Sequence, residues 1–238
     1  MVNLDVVKIK RYYFHMPVKK YHHGDLKNAL IKAGIEILAK EGVQGLSLRK
    51  VAQKAGVSHT APYSHFADKQ SLIAAISTEG LRIICEHTED VIRRYRGKPV
   101  RQLIEAGWAY IQFALSDSAH FKVTLSSVLE REKDYSEYVE LSHKCFSQLV
   151  CIVENCQAAG LLRPGPSDVE AINVWSIVHG FVSLYLEGQF YHTILERFTV
   201  RDLMISSLGH ITLVELNPRT YDKIAASARY AYQPVSIT

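Results

Sequence analysis

Sulfur is scarce in this chain: 238 residues hold four cysteines, Cys85, Cys145, Cys151 and Cys156. None forms a C-x-x-C pair or zinc-finger spacing, so reduced, mostly packed thiols are expected. His120 and His143 lack a carboxylate or second histidine at ligand spacing, and no metal site is expected. No continuous apolar run reaches the roughly 18–20 residues of a membrane span, and the first twenty residues lack the apolar stretch of a signal peptide. The chain is therefore expected to be cytoplasmic, with no membrane partner. A Gly-rich phosphate loop, G-x-S-x-G, H-E-x-x-H and internal repeats are also missing. Without a paired acid and base or an activated nucleophile the chain reads as no enzyme and implies no cofactor. A helical small-molecule enzyme with a basic N-terminus is the weakest of the readings.

What the sequence does contain is enough apolar material for a real core, at 47% hydrophobic and 22% charged residues. Its charge is uneven. Residues 1–70 hold 12 of the 28 Lys/Arg and 5 of the 24 Asp/Glu, which leaves −3 of the overall +4 for residues 71–238. A basic end on a slightly acidic remainder is the asymmetry expected when one end meets a polyanion, the alternative being a solvated lysine face. No strand pattern competes with the helical one, and the fold class read from the pattern is all-α. Residues 1–22 read as a basic flexible arm, 23–70 as three short helices, 71–216 as a larger helical domain and 217–238 as a tail. Within the larger domain, helices are expected near 69–96, 99–116, 118–128, 134–159, 167–191 and 199–215.

The most informative stretch is VSHTAPYSHFADKQSL, residues 57–72. It follows a segment whose apolar positions, Leu48, Val51, Ala52 and Ala55, have the spacing of an amphipathic helix ending at Gly56. Ser47 is placed to cap that helix, and Gly42 to close the helix before it over 25–41. A third helix is expected to begin at His59 rather than Ser58, because Pro62 lacks an N–H and is tolerated only in a first turn. It spares Val57, Ala61, Phe66 and part of Tyr63 for packing and turns His59, Thr60, Ser64 and His65 outward. Helix, glycine turn, short helix is the helix-turn-helix arrangement, in which the early residues of the second helix reach base edges in the major groove.

The block LSLRKVAQKAGVSHTAPYSHFADKQSLIAAI, residues 46–76, resembles the DNA-binding helix-turn-helix of TetR/AcrR-type transcriptional repressors. The resemblance rests on Gly56-Val57-Ser58, on Tyr63-Ser64-His65-Phe66 and on Lys69, and departs at Thr60 and Pro62, where the family often has glycine and leucine. It implies that Tyr63, His65 and Lys69 hold phosphates, Lys69 with help from the positive end of its helix. Ser47 and Arg49 would also touch the DNA backbone, His59 and Thr60 would face bases, and Ser64 would join them. For Tyr63 and His65, ordinary packing against the first helix is the competing reading.

The segment WSIVHGFVSLYLEG, residues 175–188, resembles the Trp-His-Gly signature of one C-terminal subclass of that family, with Trp175, His179 and Gly180 in place. The family implies a small-molecule effector cavity in the helical domain and a homodimer face on the last two main helices. Large or polar-tipped candidates for a mostly apolar cavity are Trp108, Gln112, Phe121, His143, Phe146, Trp175 and His179, any of which plain core packing also explains. Gly180 and Gly188 inside an apolar helical pattern each cost about 1 kcal/mol against alanine, which close helix approach would offset, within the domain or across a two-fold axis. Val182, Tyr185, Leu186, Gln189, Ile205, Leu208 and Ile211 are the interface candidates. The function so implied is a ligand-responsive homodimeric regulator, most simply a repressor, that binds a palindromic double-stranded DNA operator and is released by a small, mostly apolar effector. An architectural DNA-binding protein without an effector is the alternative.

Overall fold

The structure, a computed structural model, describes residues 26–125, 129–190, 192–214 and 216. The expected arm over 1–22 and tail over 217–238 lie outside the described residues. Among those described there are helices and turns and no strand, in keeping with the all-α reading. In chain order the helices are α1 (Leu26–Gly45), α2 (Leu48–Ala55), α3 (Lys69–Arg94), α4 (Pro99–Ser116), α5 (Ser118–Thr124), α6 (Ser136–Ala158), α7 (Ser167–Leu186), α8 (His192–Leu195) and α9 (Val200–Gly209).

The expected boundaries follow from local chemistry. Gly42 breaks α1 with a left-handed φ of 65°, so the helix bends where closure was expected and adds one last turn to Gly45. The Ser47 hydroxyl caps α2 by accepting from Lys50 N at 3.2 Å. At its other end Gly56 N–H bonds Gln53 O at 3.2 Å and Val57 N–H bonds Ala52 O at 3.0 Å, the paired bonds of a Schellman turn around an αL glycine. Asp68 and Ser71 form a reciprocal capping box that opens α3.

Two hydrophobic cores share α3. The N-terminal one gathers Leu30, Ile37, Val51, Phe66, Leu72, Ile73 and Ile76, and takes in Val123 from α5. The larger one is built on Leu103, Ile104, Ile111, Phe121, Ile152, Val174, Val182, Met204 and Leu208, with Ile83, Ile84 and Ile92 of α3 packed against it. Fully buried Leu72, Ile73 and Ile76 each contribute about 1.5–3 kcal/mol at the start of the 26-residue α3, and half-buried Ile83, Ile84 and Ile92 pack the rest of it on the larger core. Gly80 is where α5 presses closest on α3: a Cβ there would lie 1.9 Å from Thr124 Oγ1.

Several expectations need correction. The third helix, expected from His59, is instead a 3-10 turn over Ala61–Ser64. The cause is Pro62: its ring removes the N–H that would reach Ser58 O in an α-helix, and Ala61 N–H takes that carbonyl at 3.0 Å. The helix expected over 167–191 stops at Leu186, because Gly188 turns the chain with φ 67° and so is no interior glycine. Gly180 and Gly188 have nothing within 4 Å of a built Cβ, so close helix approach within the chain does not explain them.

The cysteines are not all reduced thiols: Cys85 of α3 and Cys145 of α6 form a disulfide with Cα atoms 5.1 Å apart, while Cys151 and Cys156 are free. Their separation of 60 residues hides the pair from spacing rules, since helix packing alone brings them together. Finally, the 20-residue α7 is long and apolar enough to cross a membrane by length and composition, although Asp168, Glu170 and Asn173 interrupt any continuous apolar run. It packs on α4, α6 and α9 and sends Ala171, Val174, Val178, Phe181 and Val182 into the core.

Candidate nucleic-acid interface and effector site

The segment after the Gly56 turn sorts its side chains cleanly. Pro62 and Phe66 are buried, Phe66 to 2%, while His59, Thr60, Tyr63, Ser64 and His65 are exposed, Tyr63 to 61%. Pro62 therefore does the packing expected in part of Tyr63. Two hydroxyls are partly engaged locally: Ser58 and Thr60 share a hydrogen bond of 3.1 Å, and Ser64 Oγ donates to Ala61 O at 2.7 Å. His59 and Thr60 stand in the turn ahead of the 3-10 segment, a shorter and tighter platform than an α-helix.

Flanking this rim, Ser47 and Arg49 are exposed at the start of α2, and Lys69 is half-buried at the start of α3. The Ser47 oxygen is used as the α2 cap, leaving its O–H as a donor. At α3 the Ser71 N–H already bonds Asp68 Oδ1 at 2.7 Å, so the carboxylate occupies the positive helix end. That places on the Lys69 ammonium most of whatever attraction the α3 start exerts on a phosphate. On α2, Lys50 pairs with Glu41, and Lys54 pairs with Glu36 at 2.7 Å, where the ammonium holds the Glu36 carboxyl below its ordinary value. Arg49 makes no ion pair among the described residues.

In the helical domain the expected cavity residues separate into groups. Phe121, Trp175 and His179 come together, joined by a residue that sequence reading missed, Tyr110. The Trp175 indole N–H donates to Tyr110 Oη at 3.1 Å, and Tyr110 Oη lies 2.8 Å from His179 Nδ1. Trp donates only, so the phenol oxygen accepts from it and shares a second hydrogen bond with His179 Nδ1, whose direction follows the imidazole tautomer. Burial supports this arrangement, raising the Tyr110 phenol above its ordinary range and lowering His179. Phe121 stacks edge-on to Tyr110 at 5.2 Å and lies 6.0 Å from His179, closing the apolar side.

Trp108 belongs elsewhere: Arg201 sits over its ring at 5.4 Å and is paired with Glu105 at 2.7 Å. Phe146 packs half-buried against the larger core, whereas Gln112 and His143 are exposed. A separate cleft of about 600 Å³ opens at the far end of α3, lined by Ile92, Arg93, Arg96, Gly97, Gln102 and Asn155. Buried Gln102 closes its floor, donating to Ile92 O at 3.1 Å and accepting from Asn155 Nδ2 at 3.0 Å. Among the described residues no group of three or more His, Cys, Asp and Glu side chains is placed to hold a metal ion.

Of the interface candidates, Val182, Ile205 and Leu208 are fully buried in this chain's own core, at 0–1% exposure, and leave nothing for a partner. Tyr185, Leu186 and Ile211 are half-buried and Gln189 is exposed. The outward face of α7 carries Val169, Ile172 and Leu184, each more than half exposed, with Trp175 at 41%. Sequence reading passed over Val169, Ile172 and Leu184, although their spacing on α7 together with Ser176 and Gly180 was available as a signal.

Comparison with known proteins agrees with this layout. A family model described as "Bacterial regulatory proteins, tetR family" matches residues 30–76, and one described as "Tetracyclin repressor-like, C-terminal domain" matches residues 103–208. The uncharacterized HTH-type transcriptional regulator YobS of Bacillus subtilis (strain 168) is 25% identical over 172 residues, spanning 70% of this chain and 82% of that one. The class A tetracycline repressor from transposon 1721 of Escherichia coli is 38% identical over 66 residues, 28% of this chain and 30% of that protein, so that likeness is local.

Among solved structures, a protein of unknown function from Rhodococcus sp. RHA1 superposes with a TM-score of 0.63 at 27% identity, covering 88% of this chain and 98% of that one. A bacterial regulatory protein in the tetR family from Rhodococcus RHA1 shares the fold at a TM-score of 0.64 and 18% identity, over 79% of this chain and 98% of its own. Both parts of the molecule, the capped turn with its exposed rim and the helical remainder, thus find their match in one group of proteins, and the chain belongs to the TetR family of transcriptional regulators.

Proposed function

We propose that this regulator is a cytoplasmic homodimer that represses transcription by holding a palindromic operator through residues 23–70 and lets go when a small, mainly apolar effector enters residues 71–216. The observation that carries the reading is the polar rim beyond Gly56: His59, Thr60, Tyr63, Ser64 and His65 are exposed together, above Pro62 and Phe66, which anchor the segment in the N-terminal core. Short donors and acceptors on a rigid turn suit base edges and phosphates, and a solvated surface has no use for anchoring them.

The Tyr110, Phe121, Trp175 and His179 cluster supports the effector half of the reading. It combines apolar walls with one hydrogen-bonded polar chain, the make-up of a small-molecule site. The bare apolar face of α7 supports a second copy of the chain as partner, with Val169, Ile172 and Leu184 replacing Val182, Ile205 and Leu208 as interface residues.

Selection of duplexes from a random pool tests this. The expected product is an inverted repeat whose half-site centres lie about 34 Å apart or a multiple of that. Enrichment of no sequence over the starting pool would favour the architectural alternative.

A further inference from the structure

The Cys85–Cys145 disulfide ties together two helices with different duties. Cys85 lies on α3, whose first turns, with Leu72, Ile73 and Ile76, belong to the N-terminal core. Cys145 lies on α6, which packs along α3 without touching that core. The two helices run in the same direction, as two ion pairs set seven residues apart on both helices show: Arg82 with Glu137 at 2.5 Å and Glu89 with Lys144 at 2.9 Å. About 16 residues, or roughly 24 Å of helix, separate the disulfide from the capping box at Asp68, so a clamp at Cys85 fixes the lever on which the reading head is mounted.

The surroundings also offer the reduced pair hydrogen-bond acceptors. Cys85 Sγ is 3.5 Å from Leu141 O, and Cys145 Sγ is 3.3 Å from Leu81 O. Each sulfur thus faces the carbonyl four residues before the opposite cysteine, so once the S–S bond is broken and the sulfurs draw apart, each S–H has an acceptor beside it. A seam that can satisfy both the bonded and the reduced pair is compatible with reversible modification. Intracellular disulfides are in the main transient or redox-sensing, which fits the cytoplasmic reading proposed above.

We infer that Cys85 and Cys145 form a thiol–disulfide switch, oxidised by a hydroperoxide, that locks α3 against α6 and weakens DNA binding. Cys145, the less buried of the two, reacts first. Its thiolate attacks one peroxide oxygen, the O–O bond breaks, and a sulfenic acid and water form. The Cys85 thiolate then attacks that sulfur, the S–S bond forms, and hydroxide leaves to take up a proton as a second water. Overall two thiols lose two hydrogens and two electrons while hydrogen peroxide becomes two waters. A small dithiol reverses the bond by exchange. Locking matters because two heads must adjust their separation to reach both half-sites, and a fixed α3 removes that freedom.

The inference rests on the proposed DNA-binding function, and its chemistry is tested separately from that function. In a Cys151→Ser background, which removes the exposed thiol and with it cross-linking between chains, reduced protein is treated with hydrogen peroxide. Peptide mass analysis should find Cys85 joined to Cys145 with loss of two hydrogens, reversed by dithiothreitol, and amide exchange along α3 should slow. On the duplex selected above, the oxidised protein should bind about fivefold more weakly or worse, recovering on reduction. Cys145→Ser, and Cys85→Ala as a second variant, should bind alike with and without peroxide. Failure of the disulfide to form, or a fully formed disulfide with unchanged DNA affinity, overturns the switch. If no duplex is ever selected, the functional reading fails, while the mass and exchange results still decide whether the seam is oxidised and stiffened.

Discussion

His120 of α5 donates its Nε2 proton to the backbone carbonyl of Ile76, two turns into α3, across 2.8 Å. One turn away Thr124 presses on Gly80, and between them Val123 enters the N-terminal core. α5 is thereby a strut that meets α1, α3 and α4 at once, so a shift of α4 or α5 reaches the reading head through packed atoms.

This strut sets the first prediction. Gly80→Ala places a methyl group inside Thr124 and should cost about 1–3 kcal/mol of stability in urea unfolding, because neither helix can retreat without opening a core. Thr124→Ala alone should cost less. The double variant should recover only part of the loss, since the Thr124 Cβ is itself 2.9 Å from the built methyl. Full recovery would mean that the two helices are free to move apart.

Tyr110 serves two partners at once, and its removal should cost more than the loss of the Trp175 contact alone. Tyr110→Phe leaves the half-buried His179 Nδ1 without its partner and the Trp175 N–H without its acceptor, at an expected cost of about 1–3 kcal/mol. Trp175→Phe removes only a partly exposed donor and should cost about 1 kcal/mol. Chemical unfolding followed by circular dichroism checks both. Equal effects would remove the phenol from its bridging role.

The same chain gives a pH dependence of definite sign. Burial lowers the pKa of His179, and of His87 against the opposing pull of Glu86 and Asp90, below the ordinary 6.5. The unfolded chain then binds protons first as pH falls, so this stability is present above about pH 6.5 and is lost as pH drops toward the folded values. His179→Phe should flatten that loss in part and leave the contribution of His87. A stability curve whose acid limb is unchanged in the variant would mean that His179 is not held neutral.

Much of this was legible in the sequence because it is local. Ser47 and Gly56 set the boundaries of α2 through chemistry that acts within a few residues, whereas the Asp68 and Ser71 capping box that opens α3 at the expected Lys69 was not read as such. Pro62 shows where local reading fell short: its missing N–H was recognised, but its effect was to replace the α-helix with a 3-10 turn. The Tyr110 bridge and the cysteine pair join residues 65 and 60 positions apart, and no periodicity encodes which faces of two helices will meet. Burial misled in the opposite sense at Val182, Ile205 and Leu208, since an apolar stripe does not say whether its own chain or another covers it.

For the DNA rim, opposed substitutions should separate affinity from specificity. Lys69→Ala removes a cation beside the α3 start, and binding should weaken on all duplexes alike, with the log K against log salt slope smaller by about 1. His59→Ala and Thr60→Ala should each cost about 1–3 kcal/mol on the selected duplex and much less on random DNA, with the salt slope nearly unchanged. Thr60→Ala also frees the Ser58 hydroxyl. Thr60→Ser keeps that contact and serves as its control. Retention of cognate preference in both alanine variants would remove the turn from base reading.

The last prediction concerns α7, where burial within one chain separates two classes of apolar side chain. Ile172 and Leu184 are 51% and 52% exposed on its outward face, which a second copy would cover, whereas Val182 is wholly inside. Ile172→Glu or Leu184→Glu places a charge in the proposed interface without touching this chain's own core. Each variant should sediment as a folded monomer with unchanged helical content at concentrations where the parent is a dimer. DNA affinity should fall with dimerisation, because one reading head grips a single half-site. Val182→Glu should instead unfold the chain, since the charge would be stranded in the larger core among apolar neighbours. A folded Leu184→Glu variant that remains dimeric would place the two-fold face elsewhere than on the outward side of α7.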